Sequence, residues 1–358
     1  MGGFMEGLSI IVRAITYFTR KVENLDDIRD EIEHGLNVID EIHELLVKRG
    51  YMVFTKRVAL PPGSLKAVSK AIEYLDEDVL LSAGFIENGN EKDIVESALN
   101  GVYTPILHNG PLDIIKARRY SNIIHEASSQ DPVAATRISI GFHETGFLTP
   151  YFPDSSSRGE RAIGLAFLYP NTLLKLLEKG MSVEWAIETL FREFDKLALE
   201  IRGEVGLDTY IDYSLSPWME NSVVKVFRAI GADVARPGFN YTLNLVNNLI
   251  EKHADQGLKT GFNEVMLPYA EDLELMRLGE SGLLRARDFL LYASTCVAGV
   301  DMIVVPEDVE TLARLIADTA SIAIVKRKPT GFRAIPVGEK PGDRVKLGKF
   351  GEITVIDY

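Results

Sequence analysis

Apolar runs of strand length alternate with longer segments of helical period along almost the whole chain. That alternation predicts βα units stacked on a largely parallel sheet. Strands are expected at Ser9–Tyr17, Tyr51–Ala59, Asp78–Phe85, Thr136–Phe142, Asp208–Leu215, Val300–Val305 and Gly331–Ile335. Leu25, Ile28, Ile32, Leu36, Ile39 and Leu46 mark one face of a long helix. A second helix follows the turn Pro61-Pro62-Gly63, with Ser64 as its N-cap, and others are expected near 91–100, 112–127, 171–179, 183–202, 220–229, 240–253, 270–278, 286–298 and 307–326. The stretch 143–161, with Pro150, Pro153 and the run Asp154-Ser155-Ser156-Ser157-Arg158-Gly159, breaks the pattern and is expected to form a loop or lid. The tail 337–358, with its Gly342-Asp343 turn, reads as a hairpin. No repeat or Pro/Gly/Ser linker divides the chain, so one α/β domain over 1–358 is expected.

The 358 residues are 46% hydrophobic and 25% charged, enough to bury a large core and still dissolve, which excludes disordered and collagen-like classes. A formal charge of −13 is the wrong sign for coating a phosphate backbone, so no nucleic-acid partner is expected. No apolar run reaches the ~20 residues of a bilayer span: Arg13 interrupts the first and Asp301 the run from Leu290 to Pro306, so no membrane partner is expected either. The N-terminus carries no export signal, and the single Cys296 forms no internal disulfide; both point to the cytoplasm. Glutamine occurs only as Gln130 and Gln256 beside abundant Glu, Lys and Arg, a composition that hints at a hot-growing source. A homo-oligomer is the general expectation for such a protein.

Familiar signatures are absent: no G-x-x-x-x-G-K-[ST], G-x-G-x-x-G, H-E-x-x-H, G-x-S-x-G or C-x-x-C. What remains are polar residues near strand ends, where α/β sheets and barrels place ligands. Asp212, Ser214 and Ser216 share one strand face ahead of Pro217; they suit a metal ion or a hydroxylated or phosphorylated substrate, or else a turn leading into the next helix. Glu271 and Asp272 follow Leu267-Pro268-Tyr269, with Glu264 upstream. They either complement a helix dipole or converge with Asp212 on Mg²⁺ or Mn²⁺. Asp301 opens an apolar strand, where a charge is either satisfied by a helix N-terminus or presented to a cleft. Cys296 has no basic neighbour, which favours a small core cysteine over a nucleophile. The pair His143-Glu144 at a strand exit suits an acid/base site or ligand set, against the ordinary structural use of a histidine. The Ser155-Ser156-Ser157-Arg158-Gly159 run either cradles phosphate or is a solvated loop. Arg13, Arg57, Arg137 and Arg333 sit in segments that otherwise read as core, where converging guanidinium groups would build an anion site or neutralise these acids.

Cys296-Val297-Ala298-Gly299-Val300-Asp301-Met302-Ile303, Pro306-Glu307-Asp308, Ile316-Ala317-Asp318, Arg333-Ala334-Ile335-Pro336 and Gly342-Asp343 together resemble the C-terminal part of the UPF0210 proteins, also called the DUF711 family. Upstream, Arg13-Ala14-Ile15-Thr16, Lys56-Arg57-Val58, Asp212-Tyr213-Ser214-Leu215-Ser216-Pro217 with Ser222, and Pro268-Tyr269-Ala270-Glu271-Asp272 fall in that family's order, so the resemblance spans nearly the whole chain. Bacterial members are longer, with a Gly/Ser-rich middle region that Ile138 to Gly146 matches only loosely. The resemblance implies a ten-stranded α/β barrel like that of the pyruvate formate-lyase-like glycyl radical enzymes, with two parallel half-barrels packed antiparallel. It also implies, by association with small ACT-domain proteins, amino-acid-related metabolism. Radical chemistry is not expected, because the tail from Gly342 to Gly351 lacks an R-V-x-G-Y-like motif.

Two functional classes follow. The first is an enzyme of hydrolase or lyase type acting on a small phosphorylated or carboxylic metabolite, with Arg13, Arg57, Ser214, Ser216 and Arg333 on the substrate. Asp212, Glu271, Asp272, Asp301, Cys296, His143 and Glu144 would then supply the chemistry, and Asp212, Glu264, Glu271 and Asp272 any Mg²⁺ or Mn²⁺. The second is a non-catalytic metabolite sensor or assembly protein using the same cavity; thiol or radical chemistry at Cys296 ranks behind both.

Overall fold

The structure, a computed structural model, describes residues 10–63, 65–295 and 299–358; the expected Ser64 cap, the start of the first strand at Ser9, and Cys296 lie outside them. Its strands are β1 (Ile11–Phe18), β2 (Met52–Val53), β3 (Lys56–Ala59), β4 (Val79–Ser82), β5 (Thr104–His108), β6 (Ile138–Phe142), β7 (Ala162–Leu168), β8 (Asp208–Asp212), β9 (Val300–Pro306), β10 (Thr330–Val337), β11 (Arg344–Lys346) and β12 (Glu352–Thr354). One sheet has the order β4-β3-β1-β7-β8 with β2 also on β1; β1 and β7 are antiparallel and every other pair is parallel. A second has the order β5-β6-β10-β9, antiparallel only between β6 and β10, and β11 and β12 form the C-terminal hairpin. The protein is thus a mixed α/β fold with separate sheets. Single parallel bridges, Ser82 to Tyr103 and Ile86 to Ile106, join the β4 edge of the first to the β5 edge of the second, and the bridges Ile211 to Lys259 and Leu215 to Val265 lay an irregular segment along the β8 edge.

β1, β7 and β10 are buried at nearly every position, as expected of strands covered on both faces. The helix Leu25–Lys48 packs on the first sheet through Ile28, Ile32, Ile39, Ile42 and Leu46, residues at helical spacing, and Asn24 caps it by accepting the Asp27 N–H. Two strands were not among those expected. β5 is short and carries Pro105, and β7 is an unbroken apolar run with no alternation to mark it.

Irregularities in the ladders matter more for the site. Val12 pairs with Phe167 and Ala14 with Ala166, which leaves Arg13 as the extra residue of a β-bulge in β1. Opposite it the expected strand 51–59 divides into β2 and β3, and Thr55 donates its hydroxyl to the Arg13 carbonyl at 2.7 Å. On the other sheet Phe332 pairs with Val300 but Ala334 with Ile303, so Asp301 and Met302 together oppose Arg333. Met302 adopts a left-handed φ of 52°, which costs a non-glycine residue about 1–2 kcal/mol. Bulges bend a strand and re-aim its side chains, and here the re-aimed residues are Arg13, Asp301 and Arg333.

The stretch 143–161 is irregular, yet its centre is buried rather than solvated. Thr149, Tyr151, Phe152 and Ser155 to Ser157 are all enclosed. Strand ends meet several of its polar groups: Ser82 Oγ donates to the Ser155 carbonyl at 2.6 Å, the Phe85 N–H donates to Ser156 Oγ at 3.1 Å, and the Ser157 N–H donates to the Leu60 carbonyl at 3.0 Å, while the buried Ser155 Oγ has no partner among the described residues. The serine run is therefore an interior strap rather than a solvated loop. Among the described residues, no helix is long and apolar enough to cross a membrane.

Candidate anion-binding site

The strap and the bulges enclose an inner cavity of about 50 Å³ whose wall includes Arg13, Arg57, Arg333, Asp154, Glu271 and Asp301. That is room for a few waters or a small anionic head group. Glu271 bridges two of the arginines, accepting from Arg13 Nη2 at 2.7 Å and from Arg333 Nη2 at 3.0 Å. Asp301 accepts from Arg333 Nε at 2.7 Å and Nη2 at 3.0 Å, a two-pronged pair. Burial alone would raise the Glu271 carboxyl, but Arg333 and Arg13 outweigh it and hold the group below its ordinary value. Burial prevails at Asp301, which is raised despite Arg333.

Arg57 differs from the other two arginines. It is buried, donates Nη1 to the Pro150 carbonyl at 2.8 Å and Nε to Thr55 Oγ1 at 3.0 Å, and lies 5.1 Å from the centre of the Phe152 ring. Among the described residues it has no carboxylate partner. Burial, reinforced by the field of Arg13, pulls its guanidinium down to about 10. Arg13 is flanked by the rings of Tyr151 at 5.7 Å and Trp218 at 5.8 Å, and its buried Nε has no hydrogen-bond partner among the described residues.

Asp154, from the strap, was not singled out from sequence because a Pro/Ser-rich run reads as solvated. Its Oδ1 has no hydrogen-bond partner among the described residues, and burial together with Asp301 pushes its carboxyl up to about 6. Tyr151, Trp218 and Lys349, which also line the cavity, were missed as well.

The remaining candidates are placed elsewhere, with Ser216 the exception: it lines the cavity and meets the Tyr151 hydroxyl at 2.8 Å. Asp212 is completely buried and saturated. Its Oδ1 accepts from Ser214 N, Ser214 Oγ and Asn263 N at 3.1, 2.5 and 3.1 Å, and its Oδ2 from Phe262 N and Thr149 Oγ1 at 2.8 and 3.0 Å. Asp272 receives the N–H groups of Glu274 and Val223, each at 2.9 Å, and so caps the helix Leu273–Glu280 and ties it to the start of the helix Val223–Ala229. Glu264 is held by Lys326 at 2.9 Å and by Lys328. The four carboxylates considered for a metal thus point to separate partners, and among the described residues no three His, Cys, Asp or Glu side chains converge as ligands. His143 and Glu144 line a second, outer cleft.

Gly261 shows how tightly the Asp212 loop is built. It has φ +78°, and a Cβ there would lie 2.1 Å from Asp212 Oδ2 and 3.0 Å from Thr149 Oγ1. Gly261→Ala is expected to lose more than about 2 kcal/mol in denaturant unfolding; an unchanged midpoint would show that the loop 260–263 does not depend on this packing.

A family model described as Uncharacterised ACR (DUF711) matches residues 108–348, a span that contains Asp154, Glu271, Asp301 and Arg333. A UPF0210 protein of Methanopyrus kandleri is 26% identical over 92% of this chain and 85% of its own length. One from Methanocaldococcus jannaschii is 23% identical over 91% and 85%. One from Pyrobaculum arsenaticum reaches 32%, over 44% of this chain and 38% of its own length. With two thirds of its length matched by the family model, the chain belongs to the DUF711 (UPF0210) family.

Proposed function

We propose that this protein is an enzyme that takes a small carboxylate- or phosphate-bearing metabolite into the inner cavity, where Arg13, Arg57 and Arg333 face the anion and Asp154 moves a proton. Arg57 carries this reading: a buried guanidinium on a cavity wall with no carboxylate partner among the described residues. An uncompensated buried charge costs several kcal/mol, and a bound anion would offset it. Asp154, with a free oxygen and a value near 6, suits general acid/base work close to neutral pH. The small volume favours a substrate whose reacting head has only a few heavy atoms.

We also infer that the sheets close into a ten-stranded barrel around this cavity. In support, β1, β3, β4, β5 and β6 form one parallel series once the bridges Ser82 to Tyr103 and Ile86 to Ile106 are counted. β7, β8, the segment bridged at Lys259 and Val265, β9 and β10 would form the other, with antiparallel contacts between the series at β1–β7 and β6–β10. A resident Mg²⁺ or Mn²⁺ is less well supported, because it would have to displace arginine from Glu271 or Asp301.

The test is unfolding in sulfate, in formate, and in Mg²⁺ or Mn²⁺ after chelation, from pH 8 to pH 5. A ligand at ~100 times its Kd adds ~2.7 kcal/mol. Anion stabilisation is expected to strengthen as pH falls, because protonating Asp154 removes a negative charge from the wall, and to lose that pH dependence in Asp154→Asn. The intrinsic sign agrees: a carboxyl raised from 3.8 to about 6 contributes stability that is full below its unfolded value and lost as pH rises through 6. Stabilisation by a divalent ion alone would favour the metal reading, and no response to any probe would overturn the proposal. Anion binding without turnover of any small acid would leave the sensor.

A further inference from the structure

A larger concavity of about 640 Å³ lies beside the inner cavity, in the size range that holds whole small molecules. Ala320 and Ala323 of the helix Val309–Lys326 form part of its floor, and Ile324 at its edge is 51% exposed. The rings of His143 and Phe147 stand on its wall with centroids 4.4 Å apart. His143 is neutral there, because burial pulls its imidazole down to about 4.

Charge on the rim is mainly positive: Arg158, Arg327 and Lys328 against Glu144. Lys328 shares Glu264 with Lys326, whereas neither Arg158 nor Arg327 meets a carboxylate among the described residues. Arg327 ends the helix Val309–Lys326 with a left-handed φ of 56°, and Arg158 donates Nε to the Gly146 carbonyl at 2.6 Å. Among the described residues the two cavities share no lining residue but do share a wall, in which Phe147 of the outer one packs against Phe262 of the inner one at 4.9 Å.

We propose that this outer cleft is a separate binding site for an anion with a flat apolar body, an aryl phosphate or aryl carboxylate. The ring lies against Phe147 and His143 over the alanine floor, and the anionic group meets Arg158 and Arg327. Exposed arginines alone gain little from an ion in water; the ring contact supplies apolar burial and shields the charges. The inner cavity, at about 50 Å³, has no room for such a body, so the two sites select by size.

Calorimetric titration with phenyl phosphate and with inorganic phosphate tests this in the wild type, Arg158→Ala, Arg327→Ala, Phe147→Ala and Arg57→Met. Phenyl phosphate is expected to bind the wild type and Arg57→Met alike, and to weaken by about tenfold or more in each of the other three. Inorganic phosphate is expected not to displace it at equal concentration. The proposal is overturned if phenyl phosphate gives no heat at millimolar concentration, or if its affinity is unchanged in both Arg158→Ala and Arg327→Ala. Loss of binding in Arg57→Met would likewise overturn it, by assigning the aryl anion to the inner cavity. Arg158 and Arg327 are solvent-facing, so equal unfolding midpoints verify that those variants fold.

Discussion

Asparagine in place of Asp212 is expected to destabilise the protein by about 3–4 kcal/mol, although the change keeps the side chain's size and removes a buried charge. The reason is the polarity of the site. Every group around the carboxylate donates: the backbone N–H groups of Ser214 and Asn263 on Oδ1, that of Phe262 on Oδ2, and the hydroxyls of Ser214 and Thr149. Hydroxyls can rotate and accept, but backbone N–H groups cannot. Either orientation of an asparagine amide therefore sets its NH₂ against at least one fixed donor. Asp212→Ala removes the acceptors altogether and is expected to cost as much or more. Burial raises the Asp212 carboxyl against these hydrogen bonds, so its stabilising role does not come from a depressed pKa. Urea unfolding of Asp212→Asn decides the matter. A wild-type midpoint with lost anion binding would make Asp212 a ligand group; a large drop in midpoint fits its role as the clasp of the loop 260–263.

That clasp shows where the sequence stops being informative. Asp212, Ser214 and Ser216 read as one polar strand face, and only Ser216 reaches the cavity, because donors some fifty residues further along the chain fill Asp212. Arg13, Arg57, Arg333, Glu271 and Asp301 were legible as candidates for a simple reason: a charge inside an apolar run needs a partner or a purpose. Which partner was not legible, since Glu271 lies 258 residues from Arg13 and 62 from Arg333. Asp154 was hidden by the opposite effect. Its Pro- and Ser-rich neighbours carry the composition of a solvated loop, and only their burial beneath the strand ends shows that they are interior. Both bulges escape a period-of-two reading, which assumes that every residue of a strand has one partner. The alternation of strands and helices survived these local failures because it depends on many residues at once, and β5 and β7 were lost where a proline or an unbroken apolar run erased the period.

Arg57→Met is expected to separate stability from binding. At neutral pH the guanidinium is charged although its folded value is only about 10, so folding works against that charge by about 3 kcal/mol, a cost relieved only above pH 10. Methionine has a similar reach and no charge. It forfeits two hydrogen bonds, but the partners left behind remain engaged: Thr16 Oγ1 still donates to the Pro150 carbonyl at 3.1 Å, and Thr55 Oγ1 still donates to Arg13 O at 2.7 Å. The loss is then about 1–2 kcal/mol against a gain of similar or larger size. Denaturant unfolding should accordingly give a midpoint equal to or above that of the wild type. In the same variant, stabilisation by sulfate or formate should fall by about 100-fold in apparent affinity, the cost of removing one member of a buried charge pair. A variant that unfolds would make Arg57 a structural anchor of the strap at Pro150. One that folds and binds anions normally would show that Arg57 does not hold the anion and would remove the inner cavity's claim to be the site.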